Sequence, residues 1–189
     1  MKKLYPSFAP PEKWRGEKQA KWLNSEEWKR IRQKILARDD FTCAYCGYRS
    51  DKYQIIDHID GNPENHSDSN LQVVCQMCNL VKHSGYGCAV LGIVDLYKSS
   101  RYPQNEIIRI TREMRDNRAD DEEIIRFLSL KQQVPFRQER NYLRNSYAFI
   151  TSKRGNKSDA YGAWLVYHGK TRSKPIADAP QTRLTDWQD

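Results

Sequence analysis

Four cysteines form the pattern in this sequence that most clearly predicts chemistry. They occur as two Cys-x2-Cys pairs, Cys43 with Cys46 and Cys75 with Cys78. Each tight pair offers two sulfurs to one metal atom, and two pairs separated by a few tens of residues can close a tetrahedral thiolate site. The sequence therefore predicts a structural zinc site with these four cysteines as ligands.

Polar residues between and just after the cysteine pairs are suited to cleavage of a phosphodiester bond. That reaction needs a base to deprotonate water and a divalent cation to neutralise charge on the phosphate. His58 is the natural base, because a neutral imidazole accepts a proton near physiological pH. Asp57 and Asn79 offer hard oxygen ligands that suit Mg²⁺ or Mn²⁺. His83 lies four residues after Asn79, on the same helical face, and as a third ligand it would also admit Ni²⁺ or a catalytic Zn²⁺.

The adjacency of Asp57 and His58 poses a geometric condition. Neighbouring residues of a regular strand point to opposite faces. The two side chains can therefore serve one phosphate only where the strand ends, twists or wraps around it.

The elements that must position these residues are predicted from periodicity and turn chemistry. Asn24 and Glu27 resemble a helix-capping box, and apolar residues then recur at helical spacing as far as Arg38. The stretch 53–59 is rich in isoleucine and predicts a strand, a polar loop follows, and residues 71–75 predict the returning strand. A helix is expected from about Met77 to His83. The core is thus a helix, a strand, a long loop, a strand and a helix.

The rest of the chain divides around this core. We predict a basic N-terminal arm over 1–23, the zinc-bearing core over 24–100, a helical extension over 101–152, and a C-terminal strand and loose basic tail over 153–189. Periodicity does not decide between helix and strand for Ala89–Tyr97. Leu143, Tyr147 and Ile150 are spaced as on a helix, and three successive short helices would be consistent with a helix-turn-helix reader of DNA.

Composition favours a polyanionic partner. The 189 residues include 32 basic and 24 acidic side chains, a net charge of +8, and the pI is about 9.2. The basic excess lies in 1–40 and 131–189, whereas 41–100 is slightly acidic, so basic flanks are expected to hold a nucleic-acid backbone around a metal site. Paired cysteines and a lone Cys88 do not form a secreted disulfide pattern, and no signal peptide or membrane span is predicted. We therefore expect a soluble, cytoplasmic protein.

The central motif resembles the HNH endonuclease family. Asp57-His58, Asn70 and Asn79 match its three ordered landmarks, in the variant with asparagine at the third, and residues 38–47 resemble the lead-in of zinc-bearing members. The resemblance implies an α+β fold with a ββα-metal core, a four-cysteine zinc site and flanking helices. It implies hydrolysis of DNA, most naturally double-stranded, with His58 as general base and Asn70 bonding across the long loop to aim it.

Two basic residues beside the motif, Arg38 and Lys82, are predicted to contact nucleic acid. Each also has an ordinary interpretation, since exposed basic side chains on helices most often face water.

A second resemblance leads to a different function. The residues that carry it are Tyr53-Gln54, Asp60-Gly61, Ser69-Asn70-Leu71, the second cysteine pair and Gly85-Tyr86-Gly87. They are similar to IcmJ/DotN, an HNH-derived component of type IV secretion systems. This resemblance implies a non-catalytic zinc scaffold with a protein partner. Retention of Asp57, His58 and Asn79 favours the nuclease, because residues without an architectural duty are expected to drift once chemistry is abandoned.

Overall fold

The computed structural model describes residues 1–8 and 22–152 of the chain, and it confirms the α+β class. The helices are α1 (Glu26–Arg38), α2 (Gln76–Lys82), α3 (Gln104–Asp116), α4 (Asp121–Phe127) and α5 (Arg140–Arg144). The strands are β1 (Ile55–His58), β2 (Leu71–Val74), β3 (Val94–Ser99), β4 (Lys131–Val134) and β5 (Tyr147–Ile150). A 3₁₀ turn (Asp68–Asn70) precedes β2 and a π-helix (Tyr86–Leu91) precedes β3. The predicted C-terminal strand and tail lie outside the described residues.

Helix α1 covers one face of the central hairpin. The predicted cap at Asn24 is wrong, because the helix starts later: Ser25 is the N-cap, and its side chain accepts a hydrogen bond from the Trp28 backbone at 3.1 Å. Trp28 and Ile35 then pack with hairpin residues, including Ile56, in one apolar cluster. The helix is therefore held to the hairpin by its apolar stripe.

The hairpin of β1 and β2 lies between two apolar clusters. Its antiparallel register runs from Ile55 opposite Val74 to His58 opposite Leu71, within the predicted bounds. Ile56 packs against α1, whereas Ile55 packs against the cluster that contains α2 and the cysteines. Since side chains alternate along a strand, Asp57 points to the α2 side and His58 to the α1 side. The two side chains therefore lie on opposite faces of the hairpin. One phosphate could meet both of them only where the strand ends, twists or wraps around it.

A second sheet, ordered β4-β3-β5, supports the hairpin from the α2 side. The region left open in the sequence resolves into the π-helix followed by β3. The predicted helix through Tyr147 and Ile150 is wrong: α5 ends at Arg144, and β5 pairs with β3, Val94 lying opposite Ile150. Pairing with β3 buries Phe149 completely and outweighs the local helical spacing. The helix-turn-helix prediction is also wrong, because β4 separates α4 from α5.

The first residues of the predicted arm lie on the domain. The Lys2 backbone donates to the Ala44 carbonyl at 2.9 Å, and the Ser7 backbone to the Val81 carbonyl at 3.3 Å. Leu4 is 3% exposed and joins the cluster around the cysteines, while its N–H donates to the Asn105 side chain at 3.0 Å. Residues 1–8 are thus part of the folded core. In the described part of the chain, no helix has both the length and the apolar character that crossing a membrane requires.

Candidate active site

The fold brings the four predicted zinc ligands together. Cys43 and Cys46 lie in the turn after α1, Cys75 caps the N-terminus of α2, and Cys78 lies in its first turn. All four are buried, and their sulfurs lie within 4.8 Å of one another, with 3.6 Å between the Cys46 and Cys75 sulfurs. Zinc–sulfur bonds of about 2.3 Å in a tetrahedron separate the sulfurs by about 3.8 Å. The geometry therefore suits a zinc ion.

Charge within this cluster also suits a dication. Hydrogen bonds from the other three cysteines lower the pKa of Cys43, and the interaction with Cys43 in turn raises the pKa of Cys78. Four thiolates therefore need a cation among them. Arg112 of α3, which the sequence did not single out, donates to the Cys75 sulfur at 3.3 Å, and its guanidinium lies 3.5 Å from the Tyr48 ring centre. It adds a positive charge beside a site whose zinc complex would be anionic.

Asp57 is buried and bound by several donors. Its carboxylate is 2.6 and 2.7 Å from the Lys82 ammonium, which also donates to the His58 carbonyl at 2.7 Å. The Gln72 amide donates to Asp57 at 2.8 Å and to the Tyr45 hydroxyl at 3.1 Å. Lys82, predicted to contact nucleic acid, is thus placed as the counter-ion of the predicted metal ligand Asp57.

His58 lies in an aromatic cluster on the other face of β1. The residue is 6% exposed, and its ring lies parallel to the Trp28 ring with 6.2 Å between centroids and 5.4 Å from the centroid of the His66 ring. His66 stacks on Trp22 at 3.8 Å, and its Nε2 lies 2.8 Å from the Pro63 carbonyl oxygen. His66 is therefore half-buried and belongs to the aromatic cluster around His58. The long loop folds back over the face that carries His58.

Asn70 makes hydrogen bonds across the long loop. Its side-chain oxygen accepts from the Asp60 backbone at 3.0 Å, and its amide donates to the Asp60 carboxylate and the Asn65 carbonyl, both at 2.9 Å. Hydrogen bonds from the Asn62 backbone and then from Asn65 and Asn70 lower the pKa of Asp60. Asn70 thereby fixes the chain that leaves β1 directly after His58.

We expect Asn70→Ala to lower the unfolding free energy of the protein and the rate of any cleavage that depends on His58. Removing a buried group that satisfies loop donors and acceptors costs about 1–3 kcal/mol of unfolding free energy. Loss of such an orienting contact typically lowers activity by about 10–100-fold. Asn62→Ala, an exposed change in the same loop, is the control. Thermal unfolding and single-turnover cleavage measure both effects, and equal rates for the two variants would contradict the orienting role.

The remaining predicted ligands lie on α2 and at its end. Asn79 and His83 are half-buried and one turn apart, and the His83 backbone donates to the Asn79 carbonyl at 2.9 Å. Within the described residues, a group of three or more Cys, His, Asp or Glu side chains able to share an ion occurs only at the four cysteines. The set of Asp57, Asn79 and His83 includes an amide, and its role as a metal site stays a prediction.

Arg38, the other predicted nucleic-acid contact, makes hydrogen bonds and an ion pair within the protein. Its guanidinium pairs with Asp39 at 2.7 and 2.9 Å, and it donates to the Leu71 carbonyl at 2.8 Å and the Asp68 carbonyl at 2.5 Å. The hydrogen bond to Asp39 is the main cause that raises the pKa of Arg38. The residue fastens the end of α1 to the start of β2.

The core is a ββα-metal unit of the HNH type. It consists of a hairpin and a following helix, with four converging cysteines and an Asp-His pair at the end of β1. A family model described as HNH endonuclease matches residues 43–85. A probable HNH endonuclease of Lactococcus phage SK1 is 33% identical over 73 residues, which span 34% of this chain and 78% of the phage protein. The chain belongs to the HNH endonuclease family.

A second relative is named as part of a type 4 apparatus and not as an endonuclease. The type 4 apparatus protein DotN of Legionella pneumophila is 39% identical over 71 residues, which span 38% of this chain and 32% of DotN. The chain therefore covers about a third of that relative's length. Both suspected resemblances are confirmed as relationships of sequence.

Proposed function

We propose that this chain is a metal-dependent endonuclease that hydrolyses phosphodiester bonds of double-stranded DNA. The observation that carries the proposal is the end of β1, where Asp57 and His58 point to opposite faces of one hairpin. A phosphate seated across this strand end would meet a base from one side and a cation site from the other. The cytoplasm, which keeps the cysteines reduced, is the proposed place of action.

His58 would act as the general base. The imidazole lies parallel to the Trp28 ring, and Asn70 fixes the backbone that follows His58. A neutral imidazole so held can take the proton from an attacking water. Since the ring is almost fully buried beneath the loop, substrate must displace part of the loop that carries His66.

Asp57, Asn79 and His83 would hold the divalent cation, and the four cysteines a structural zinc. Mg²⁺ or Mn²⁺ suits the oxygen ligands, while a histidine ligand also admits Ni²⁺ or a second Zn²⁺. Such a cation would neutralise charge that builds on the phosphate and the leaving oxygen. To bind there it must replace the Lys82 ammonium at Asp57, and the released lysine could then contact the phosphate as the sequence predicts.

Cleavage in a metal series tests the proposal. Zinc-loaded protein is incubated with supercoiled and linear DNA in Mg²⁺, Mn²⁺, Ni²⁺ or Zn²⁺, each at matched ionic strength. We expect nicking or cutting with at least one of these ions and none in their absence. No cleavage with any ion would contradict the proposal.

One observation favours a second function, that of a non-catalytic zinc scaffold with a protein partner. The Asp57 carboxylate already has a complete set of partners in Lys82 and Gln72, and it is 5% exposed. A scaffold would need this pair only to hold α2 against the hairpin. The relationship to DotN supports the same alternative. In that case His58→Ala would leave the cellular role intact.

A further inference from the structure

A basic groove lies beside the predicted metal site, between the segment that matches the family and residues that flank that segment in the chain. It has a volume of about 370 Å³ and separates residues 3–8 from α5 and the end of α2. The charged or aromatic side chains that line it include Lys3, Tyr5, Lys82, His83, Arg140 and Arg144. Asp60 and Gly61, which follow His58 closely in the chain, also line it. The groove therefore lies next to the place where the proposed reaction would occur.

The two arginines of α5 give the groove its charge. Arg140 and Arg144 are four residues apart, so they project from the same side of the helix with about 5–6 Å between their Cβ atoms. Both are exposed, and the ion pairs found in residues 1–8 and 22–152 include neither of them. The Arg144 guanidinium lies 5.1 Å from the Tyr5 ring centre, which holds it over the groove.

Asp60, the acidic side chain in the lining, offsets only part of this charge, because it contributes one negative charge against the positive charges of Lys3, Arg140 and Arg144. The Asp60 carboxylate accepts hydrogen bonds from the Asn62 backbone and from the Asn65 and Asn70 amides, at 2.8 to 2.9 Å. It is therefore satisfied by its own loop. By contrast, the basic residues named from the sequence, Arg38 and Lys82, pair with Asp39 and Asp57.

We infer that Lys3, Arg140 and Arg144 bind successive backbone phosphates of the nucleic-acid strand that runs through the site. Guanidinium groups bind phosphate oxygens in pairs of parallel hydrogen bonds, and the Tyr5 ring offers a face on which a base can stack. The position beside Asp57 and His83 favours a nucleic acid over an acidic protein segment, because the same strand would reach the cation site. The inference rests on the proposed nuclease function for the nature of its ligand.

The test compares two charge-matched double variants. Arg140→Gln with Arg144→Gln removes the groove arginines, and Arg101→Gln with Arg126→Gln removes two exposed arginines that do not line the groove. Binding of a fluorescent duplex oligonucleotide is measured by anisotropy across a salt series. Each lost phosphate contact should make the slope of log K against log salt shallower by about 0.9, so we expect a change of about 1.8 for the groove variant. The control variant should keep the wild-type slope and affinity.

Cleavage assays on the same proteins separate this inference from the proposed function. An unchanged slope in the groove variant, with wild-type unfolding temperature, would overturn the inference even if the enzyme cuts DNA. A shallower slope in a protein that binds but never cuts would support the groove and overturn the nuclease. The nucleic-acid assignment would be overturned if the wild type failed to bind duplex DNA but bound poly-glutamate, and if the groove variant did not bind poly-glutamate.

Discussion

Removal of the proposed zinc is expected to unfold the core. Cys78 is completely buried, and the four cysteines belong to the same apolar cluster as Val81, Leu96 and Ile150. Structural zinc contributes about 10–16 kcal/mol of apparent binding free energy in small domains, which matches or exceeds the typical stability of a whole domain, about 5–15 kcal/mol. We therefore expect Cys78→Ala, or a strong chelator, to abolish the cooperative thermal transition. Zinc content and circular dichroism measure the effect.

Cys88→Ala is the matched control for this prediction. Cys88 lies in the π-helix, outside the cluster of four sulfurs, and burial raises the pKa of its thiol. The variant should bind one zinc per chain and keep a cooperative transition. If Cys78→Ala unfolded at the wild-type temperature, the metal would not be structural.

Loss of Lys82 is expected to destabilise the protein in a way that divalent metal can reverse. The Lys82 and Asp57 side chains are 16% and 4% exposed, and removal of one partner from a buried pair costs about 3–5 kcal/mol. In Lys82→Ala the buried Asp57 carboxyl group loses its counter-ion. If Asp57 is a metal ligand, Mn²⁺ should replace the missing charge and raise the unfolding temperature of Lys82→Ala more than that of the wild type.

The control for Lys82 is an exposed ion pair. Lys29 pairs with Glu26 at 2.7 Å, with side chains 58% and 75% exposed, so Lys29→Ala should cost at most about 1 kcal/mol and should not respond to Mn²⁺. A Lys82→Ala protein that is destabilised but indifferent to Mn²⁺, Mg²⁺ and Ni²⁺ would indicate a purely structural pair. That result would favour the scaffold.

The central fold could be predicted because its signals are local. The spacing of the cysteines, the short isoleucine-rich strand and the period from Trp28 to Ile35 each describe one element, and α1, β1, β2 and α2 lie within a few residues of their expected bounds. The opposite orientation of Asp57 and His58 follows from strand geometry alone. Only the helix cap was misplaced, by one residue, because Asn24 and Ser25 are both good caps.

Contacts between distant segments could not be predicted. Residues Tyr147–Ile150 form a strand because they pair with β3. The spacing of their apolar side chains does not reveal this pairing. The pairing of Lys82 with Asp57 joins residues 25 positions apart, and Arg112 reaches Cys75 across 37 positions. A basic residue on a helix predicts only that a negatively charged group can bind nearby. The fold determines whether that group is a carboxylate, a thiolate or a phosphate.

One time course tests most directly whether the two faces of β1 serve one phosphate. Zinc-loaded wild type and His58→Ala are incubated with supercoiled plasmid in the most active metal of the series, with His66→Ala beside them. We expect the wild type to nick the plasmid and His66→Ala to retain most of the rate. We expect His58→Ala to be slower by about 10²–10⁴-fold while it still binds zinc and unfolds cooperatively. Equal rates for wild type and His58→Ala, or no nicking by either, would contradict the proposed chemistry.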